Sequence, residues 1–407
     1  MKRYCIAGAS FRCYTMFVEN AVDNYPDFAK IVGVYDPNKT RCQVYKKRVG
    51  DDLTIYDDFE EMLDAEKPDA VIVTTIDAMH HEYIIRALNK GYDVLSEKPI
   101  TNTYEKCLAI REAEKRSGKK VTVTFNCRTS PEYVELKKLV SSGIIGQVHQ
   151  ISYEYFLNRW HGGDYFKRWH RMMENSGGML VHKSTHHFDA MNWILDDEPV
   201  KVTALGTTSF YGHEDKCFAE YCRVCPKQNE CPSFYSQTNE LDEELYFKAQ
   251  EEDGYLRDKC CYKSDCDIYD NMSVSVQYKK GTILSYSLNL FSLRGEGQKI
   301  TMTGEKGTIV YEMVGPAETP RTNYTIKVYH DYGKPEIHEF PILKGRHAGS
   351  DKILCGKLFG AVVDDDPLGQ MADSFAGIMS ALIGISANES IATGKTIDIA
   401  ERLDKMR

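Results

Sequence analysis

The chain has 407 residues, 42% of them hydrophobic and 27% charged, with a formal net charge of -9. These proportions leave room for about two to three domains with real cores, and they exclude a disordered tail, a collagen-like repeat and a small disulfide-stapled scaffold. The acidic balance argues against a nucleic-acid partner, which calls for a basic stripe. No apolar run approaches the ~18–20 residues of a membrane helix, and Met1-Lys2-Arg3 leads into too short an apolar stretch for a secretory signal. The expectation is a cytoplasmic enzyme with no membrane partner.

The first 127 residues alternate strand and helix patterns. Short β-rich runs at Lys2–Gly8, Ile31–Tyr35, Ala70–Thr74, Asp93–Ser96 and Val121–Phe125 are separated by helical stretches such as His81–Asn89. In that helix Ile84, Ile85 and Leu88 recur at helical spacing ahead of the stop signal Gly91. The alternation predicts βαβ units on a parallel sheet, a doubly wound nucleotide-binding domain over residues 1–127.

Immediately after the first strand comes Gly8-Ala9-Ser10-Phe11-Arg12-Cys13. Of the three glycines of a dinucleotide turn only Gly8 is present. Ser10 and Cys13 are still small enough for close approach, the next helix offers free N–H groups to an anion, and Arg12 adds a charge for phosphate. The second strand ends in Val34-Tyr35-Asp36. A carboxylate there reads a ribose hydroxyl and repels a 2′-phosphate, favouring NAD over NADP, while Lys39 and Arg41 moderate that preference. The other reading of Asp36 is a helix N-cap.

Beyond residue 128 the pattern changes. A helix near Pro131–Ser141 precedes a strand at Val148–Tyr155, a polar-aromatic segment and a helix at Gly178–Leu195. Alternating runs at Val274–Tyr278 and Thr282–Leu290, joined by Lys279-Lys280-Gly281, predict an antiparallel hairpin, and a further strand pair flanks Gly304-Glu305-Lys306-Gly307. Residues 128–407 therefore read as an α+β domain with an open, mostly antiparallel sheet, closed by a helix at about 373–394. Residues 213–270 read as an insertion.

That insertion holds seven of the thirteen cysteines. Cys222-x-x-Cys225 with Cys231 and Cys266 makes a four-thiolate set, in which Cys217, Cys260 or Cys261 are substitutes. The expectation is a structural zinc or an iron–sulfur cluster, with buried or free thiols as the other reading.

Three more stretches carry a resemblance. Thr74-Thr75-Ile76-Asp77 with His80 leads to Glu97-Lys98-Pro99; next comes Phe125-Asn126-Cys127-Arg128; then Gly177-Gly178 runs through His182 and Lys183 to His186 and Asp189. This ordered set resembles the glucose–fructose oxidoreductase/inositol dehydrogenase family (Gfo/Idh/MocA) over nearly the whole chain. The resemblance implies a two-domain oxidoreductase, often a homo-oligomer (dimer or tetramer), acting on a small carbohydrate with NAD(P). By the same resemblance Lys98 touches both substrate hydroxyl and nicotinamide ribose, His186 takes the hydroxyl proton, His182 stands where many members carry aspartate, and Asp189 closes the motif. Gly8, Ser10, Phe11, Arg12, Asp36, Thr75, His80, Glu97, Lys98 and Asn126 are expected on the cofactor. His182 and His186, four apart, are expected on one helix face.

Between residues 158 and 171 aromatic and polar side chains alternate, a mixture that suits stacking on and hydrogen bonding to a sugar, or else an oligomer contact. Arg159, Trp160, His161, Tyr165 and Arg168 are the candidates there, joined by Arg128, Tyr155, Lys183 and His186. The functional expectation is hydride transfer between a secondary hydroxyl of a sugar, sugar derivative or glycoside and nicotinamide. Two alternatives stand beside it: a glycosidase or lyase working by transient oxidation and elimination, and a non-catalytic NAD(P)-sensing regulator.

Overall fold

The computed structural model describes residues 1–235, 239–315 and 322–407. The first layer is a sheet of seven strands. Six run parallel: β1 (Lys2–Ala7), β2 (Ala29–Tyr35), β3 (Thr54–Tyr56), β4 (Ala70–Val73), β5 (Asp93–Ser96) and β6 (Val121–Val123). Their spatial order is β3-β2-β1-β4-β5-β6, the doubly wound arrangement whose ligand crevice lies beyond the carboxyl ends of the strands, where the order reverses. β4 is buried at every residue because helices cover both faces. The edge strand β3, only three residues long, was not anticipated.

Local capping explains where the helices start. Asp58 Oδ1 accepts from Glu61 N at 2.8 Å, and Thr103 Oγ1 caps Tyr104–Ser117, which ends on Gly118 in the left-handed region. Two segments from far along the chain complete this layer. Helix Ser350–Phe359 packs Leu354, Cys355, Leu358 and Phe359 onto the β1 side. The two-residue strand Ala372–Asp373 pairs antiparallel with β6.

The second layer is a nine-stranded sheet built around β7 (Val148–Asn158), with β8 (Pro199–Thr207), β9 (Asn271–Tyr278), β10 (Ile283–Ser292), β11 (Glu296–Gly304), β12 (Thr308–Gly315), β13 (Asn323–Tyr329) and β14 (Glu336–Pro341); Ile397–Asp398 closes its edge. Among the described residues only the β7–β10 pair is parallel. The anticipated β9–β10 hairpin turns at Gly281, whose φ is +96°. In β9 every second residue is buried, so one face packs on helices and the other carries Ser273, Ser275 and Gln277.

Helix Ser374–Thr393, capped by Asp373, has the length and apolarity of a membrane span, a property no other helix of the described residues shares. Most of it is buried inside the protein, so its apolarity serves the core. The single helix expected at Gly178–Leu195 is instead two, Met179–His182 and Thr185–Leu195. The break falls at Lys183-Ser184, where Ser184 Oγ lies 3.0 Å from Tyr286 Oη of the sheet.

Candidate active site

Two turns at the carboxyl ends of adjacent strands form one wall of the crevice. After β4, Asp77 opens a short turn leading to His80; after β5 come Glu97 and Lys98. The buried His80 ring ties them together, with Nδ1 2.8 Å from the Pro99 carbonyl and Nε2 3.1 Å from the Thr75 carbonyl. His80 and Thr75 thus fix the wall from behind. Gly8, at φ +97°, lies so close to the same wall that a Cβ would come within 2.7 Å of Thr75 N. Its glycine character is therefore required by packing of β1 on β4 as well as by the turn.

The opposite wall comes from the second domain. Lys98 Nζ donates to the His182 carbonyl at 3.2 Å, and His182 Nδ1 lies 2.6 Å from Asp77 Oδ2. Although the helix is broken between them, His182 and His186 both feel the Lys98 charge. Burial and then Lys98 push both imidazoles well below the usual histidine value. Burial also lowers the Lys98 ammonium, against the opposing pull of Glu97, Asp77 and Tyr165. Among the described residues His186 Nδ1 is buried with no hydrogen-bond partner, as is Nδ1 of His170. His170 stacks on Trp169 at 3.7 Å between ring centroids and meets His182 edge-on at 4.3 Å. Neither Asp77 nor His170 was singled out from the sequence as a site residue.

Several sugar-facing candidates gather on this wall. Lys183 Nζ lies 5.3 Å from the Tyr155 ring centroid. Burial opposes its charge, but Tyr155, Tyr165 and Glu296 outweigh burial and hold the ammonium above its ordinary value. Tyr165 packs 5.6 Å from His182 and stacks with His161, whose Nδ1 is 2.9 Å from Glu296 Oε1. Arg168 pairs with Asp164 and covers the Tyr165 ring.

Other candidates sit elsewhere. Asn158 Oδ1 caps helix Arg159–Tyr165 by accepting from Trp160 N and His161 N, which turns Trp160 outward to 47% exposure. Arg159 lies over the Phe210 ring at 4.5 Å. Arg128, expected to touch substrate, is buried and forms a two-pronged ion pair with Asp189 at 2.8 and 2.7 Å, with a third bond to the Gly369 carbonyl. Its donors are consumed in the core.

Arg12, expected on phosphate, likewise spends its guanidinium internally: Nε donates to Glu97 at 2.9 Å, and two further donors go to Asp351 at 2.6 and 3.0 Å. Asn126 Nδ2 donates to the same Asp351 at 2.8 Å. At the phosphate turn Ser10 Oγ caps the helix, accepting from Cys13 N, and Phe11 N donates to Tyr246 Oη at 2.9 Å. Asp36 stands at the end of β2, accepting from Ala9 N at 2.7 Å and Asn38 N at 2.8 Å.

The zinc or iron–sulfur centre expected in the cysteine insertion finds no support among the described residues. Among the described residues no three His, Cys, Asp or Glu side chains come together as a metal would need. Cys222, Cys225, Cys231, Cys260 and Cys261 line a cavity of about 310 Å³ shared with Phe218, Tyr221 and Tyr262. Cys266 points away, its thiol donating to the Lys263 carbonyl at 3.5 Å, and Cys217 donates to the Ala219 carbonyl at 3.2 Å. Burial pushes the Cys261 thiol up to about 12. All thirteen cysteines are free thiols.

Comparison with known proteins agrees with this architecture. The family model described as "Oxidoreductase family, NAD-binding Rossmann fold" matches residues 2–125, and its C-terminal α/β partner matches residues 137–398. The protein YteT of Bacillus subtilis (strain 168) is 32% identical over 425 aligned positions, covering 98% of each chain. Inositol 2-dehydrogenase of Rhizobium meliloti (strain 1021) is 24% identical, covering 91% of this chain and 92% of its own. The crystal structure of the WlbA dehydrogenase of Bordetella pertussis, in complex with NADH and UDP-GlcNAcA, superposes with a TM-score of 0.66 at 16% identity over 98% of both chains. The chain belongs to the Gfo/Idh/MocA oxidoreductase family.

Proposed function

We propose that the protein is an NAD-dependent dehydrogenase that moves a hydride between a secondary hydroxyl of a sugar, sugar derivative or glycoside and nicotinamide. The observation that carries this reading is the meeting of Lys98 with the His182–His186 segment at the carboxyl edge of the parallel sheet, with His186 Nδ1 buried and unpaired among the described residues. A buried polar atom without a partner costs about 1–3 kcal/mol, so it is best explained by a ligand that completes it. That unpaired atom, together with Asp36 at the end of β2 and the close approach that only glycine allows at Gly8, supports a dinucleotide in this crevice.

NAD, when bound, supplies the hydride acceptor. The protein's own groups handle the proton. His186 is held neutral by burial and by Lys98, so it accepts the hydroxyl proton as the C–H hydride departs. The Lys98 ammonium donates to the same oxygen and stabilises the charge that develops there. His182, fixed by Asp77, holds the Lys98 ammonium through its carbonyl. Tyr155, Tyr165, His161 and Lys183 supply aromatic surface and donors to sugar hydroxyls, in keeping with a relative that is an inositol 2-dehydrogenase.

The test is NADH absorbance across a panel of polyols, sugars and glycosides. Substrate-dependent NADH formation that disappears in Lys98→Ala, with folding intact, supports the reading. A folded protein that binds NAD and turns over no carbohydrate in the panel defeats it.

A further inference from the structure

The insertion also reaches the nucleotide domain. Its segment Asn239–Gly254 lies across the start of helix Lys39–Val49, which follows Asp36. That helix start is where a 2′-phosphate on the adenosine ribose would fall: the ribose is read at the end of β2, and free N–H groups plus nearby cations hold the extra phosphate. Here each of those donors is already taken. Lys39 N donates to Glu252 Oε1 at 2.6 Å and Thr40 N to Glu252 Oε2 at 2.8 Å, so one carboxylate spans both N–H groups as a phosphate would. Arg41 N is capped by Asn38 Oδ1 at 3.1 Å.

The cations are spent as well. The Arg41 guanidinium pairs with Asp253 at 2.7 Å and donates to the Leu245 carbonyl at 3.0 Å, between the Tyr246 and Tyr255 rings. Lys39 Nζ donates to the Tyr56 carbonyl at 2.6 Å and the Asp36 carbonyl at 3.1 Å. Hydrogen bonds from the Thr40 and Lys39 N–H groups hold Glu252 below its usual carboxylate value, so it is ionised at neutral pH.

We infer that Glu252 and Asp253 are specificity-determining residues: their carboxylates occupy the 2′-phosphate position and shut out NADP, leaving Asp36 to read an unphosphorylated ribose. This rests on the NAD reading above and assigns it a second, distant determinant.

Titration calorimetry of NAD⁺ and NADP⁺ into the full-length protein tests it. The wild type is expected to bind NADP⁺ at least about 100-fold more weakly than NAD⁺, roughly two tenfold steps of discrimination. In Glu252→Ala/Asp253→Asn, NADP⁺ affinity rises about tenfold or more while NAD⁺ affinity stays within about threefold. Adding Arg41→Ala to that double variant removes most of the gain, because the released guanidinium is what meets the phosphate. The isosteric Glu252→Gln, which keeps the packing and removes the charge, shows a smaller gain in the same direction. A wild type that prefers NAD⁺ and folded variants that keep its full discrimination overturn the inference alone. A wild type that binds NADP⁺ as tightly as NAD⁺ overturns both it and the NAD reading.

Discussion

His182 Nδ1 lies 2.6 Å from Asp77 Oδ2, joining the second domain to the turn after β4 across the crevice. Both groups are buried, and burial drives them in opposite directions: Asp77 upward as an acid, His182 downward as a base. The two buried groups therefore titrate together, as a pair sharing one proton. The same histidine presents its carbonyl to Lys98 Nζ. Asp77 therefore acts through His182 as a positioning residue for the lysine.

Replacing Asp77 by Asn keeps the shape and removes the titrating acid. The expected result is a fall in kcat of about 10–100-fold with little change in KM, since an orienting contact is lost and substrate contacts are kept. The shape of the pH–rate curve should move with it, because the lowered Lys98 ammonium loses one of the carboxyl groups that oppose its lowering. An unaltered pH curve with a simple drop in melting temperature would assign Asp77 a purely structural part.

The pH dependence of oxidation follows from the two depressed groups. His186 must be neutral to accept a proton, and burial with Lys98 nearby holds it well below the ordinary 6.5. The acid limb of kcat/KM should accordingly lie below pH 6.5, with activity persisting into mildly acidic solution. Lys98 must be charged to donate, and its value is lowered from 10.5, so the basic limb should also be displaced toward acid. In His186→Gln the rate should drop by about 10²–10⁴-fold with the acid limb gone. An acid limb at or above 6.5 in the wild type would contradict the assignment of the base.

Arg128 and Asp189 make a buried two-pronged pair. Arg128→Met leaves Asp189 as an uncompensated buried acid and should cost about 3–5 kcal/mol in urea unfolding. Arg128→Met/Asp189→Leu should recover most of that loss, because two apolar groups of similar volume replace the pair. A single variant with unchanged stability but a raised KM for sugar would return Arg128 to the substrate.

Much of this was readable in the chain because the signals were local. Strands buried on both faces, such as Ala70–Val73, announce themselves by continuous apolar runs, and the tail helix was bracketed by the Asp373 cap and Gly394. Thr54–Tyr56 is too short to show a period. At the Lys183-Ser184 break Ser184 meets Tyr286, a tertiary partner that no window of sequence contains. Asp77 lay in plain view inside the Thr74–His80 turn, yet its partner is 105 residues away. Glu252 and Asp351 reach the nucleotide domain from hundreds of residues downstream. The cysteine spacing does not by itself bring the thiols together: among the described residues no group of three ligands converges.

Asp351 gives a prediction about acid stability. Burial would raise its carboxyl, but Arg12 and then His347 outweigh burial and hold it far below the usual 3.8. A folded value below the unfolded one stabilises the native state above the unfolded value and loses that stabilisation as pH falls through the folded value. The contribution should be complete at pH 7 and still present near pH 4, then shrink on further acidification. Asp351→Asn should therefore lower stability at pH 7 by about 2–4 kcal/mol, in line with a carboxylate shifted by a few units. Urea midpoints for both proteins at pH 7, 4 and 3 check this: the gap should hold between pH 7 and 4 and narrow at pH 3. A gap that stays constant down to pH 3 would mean that the loss comes from packing, with the Arg12–Asp351 charge pair contributing little.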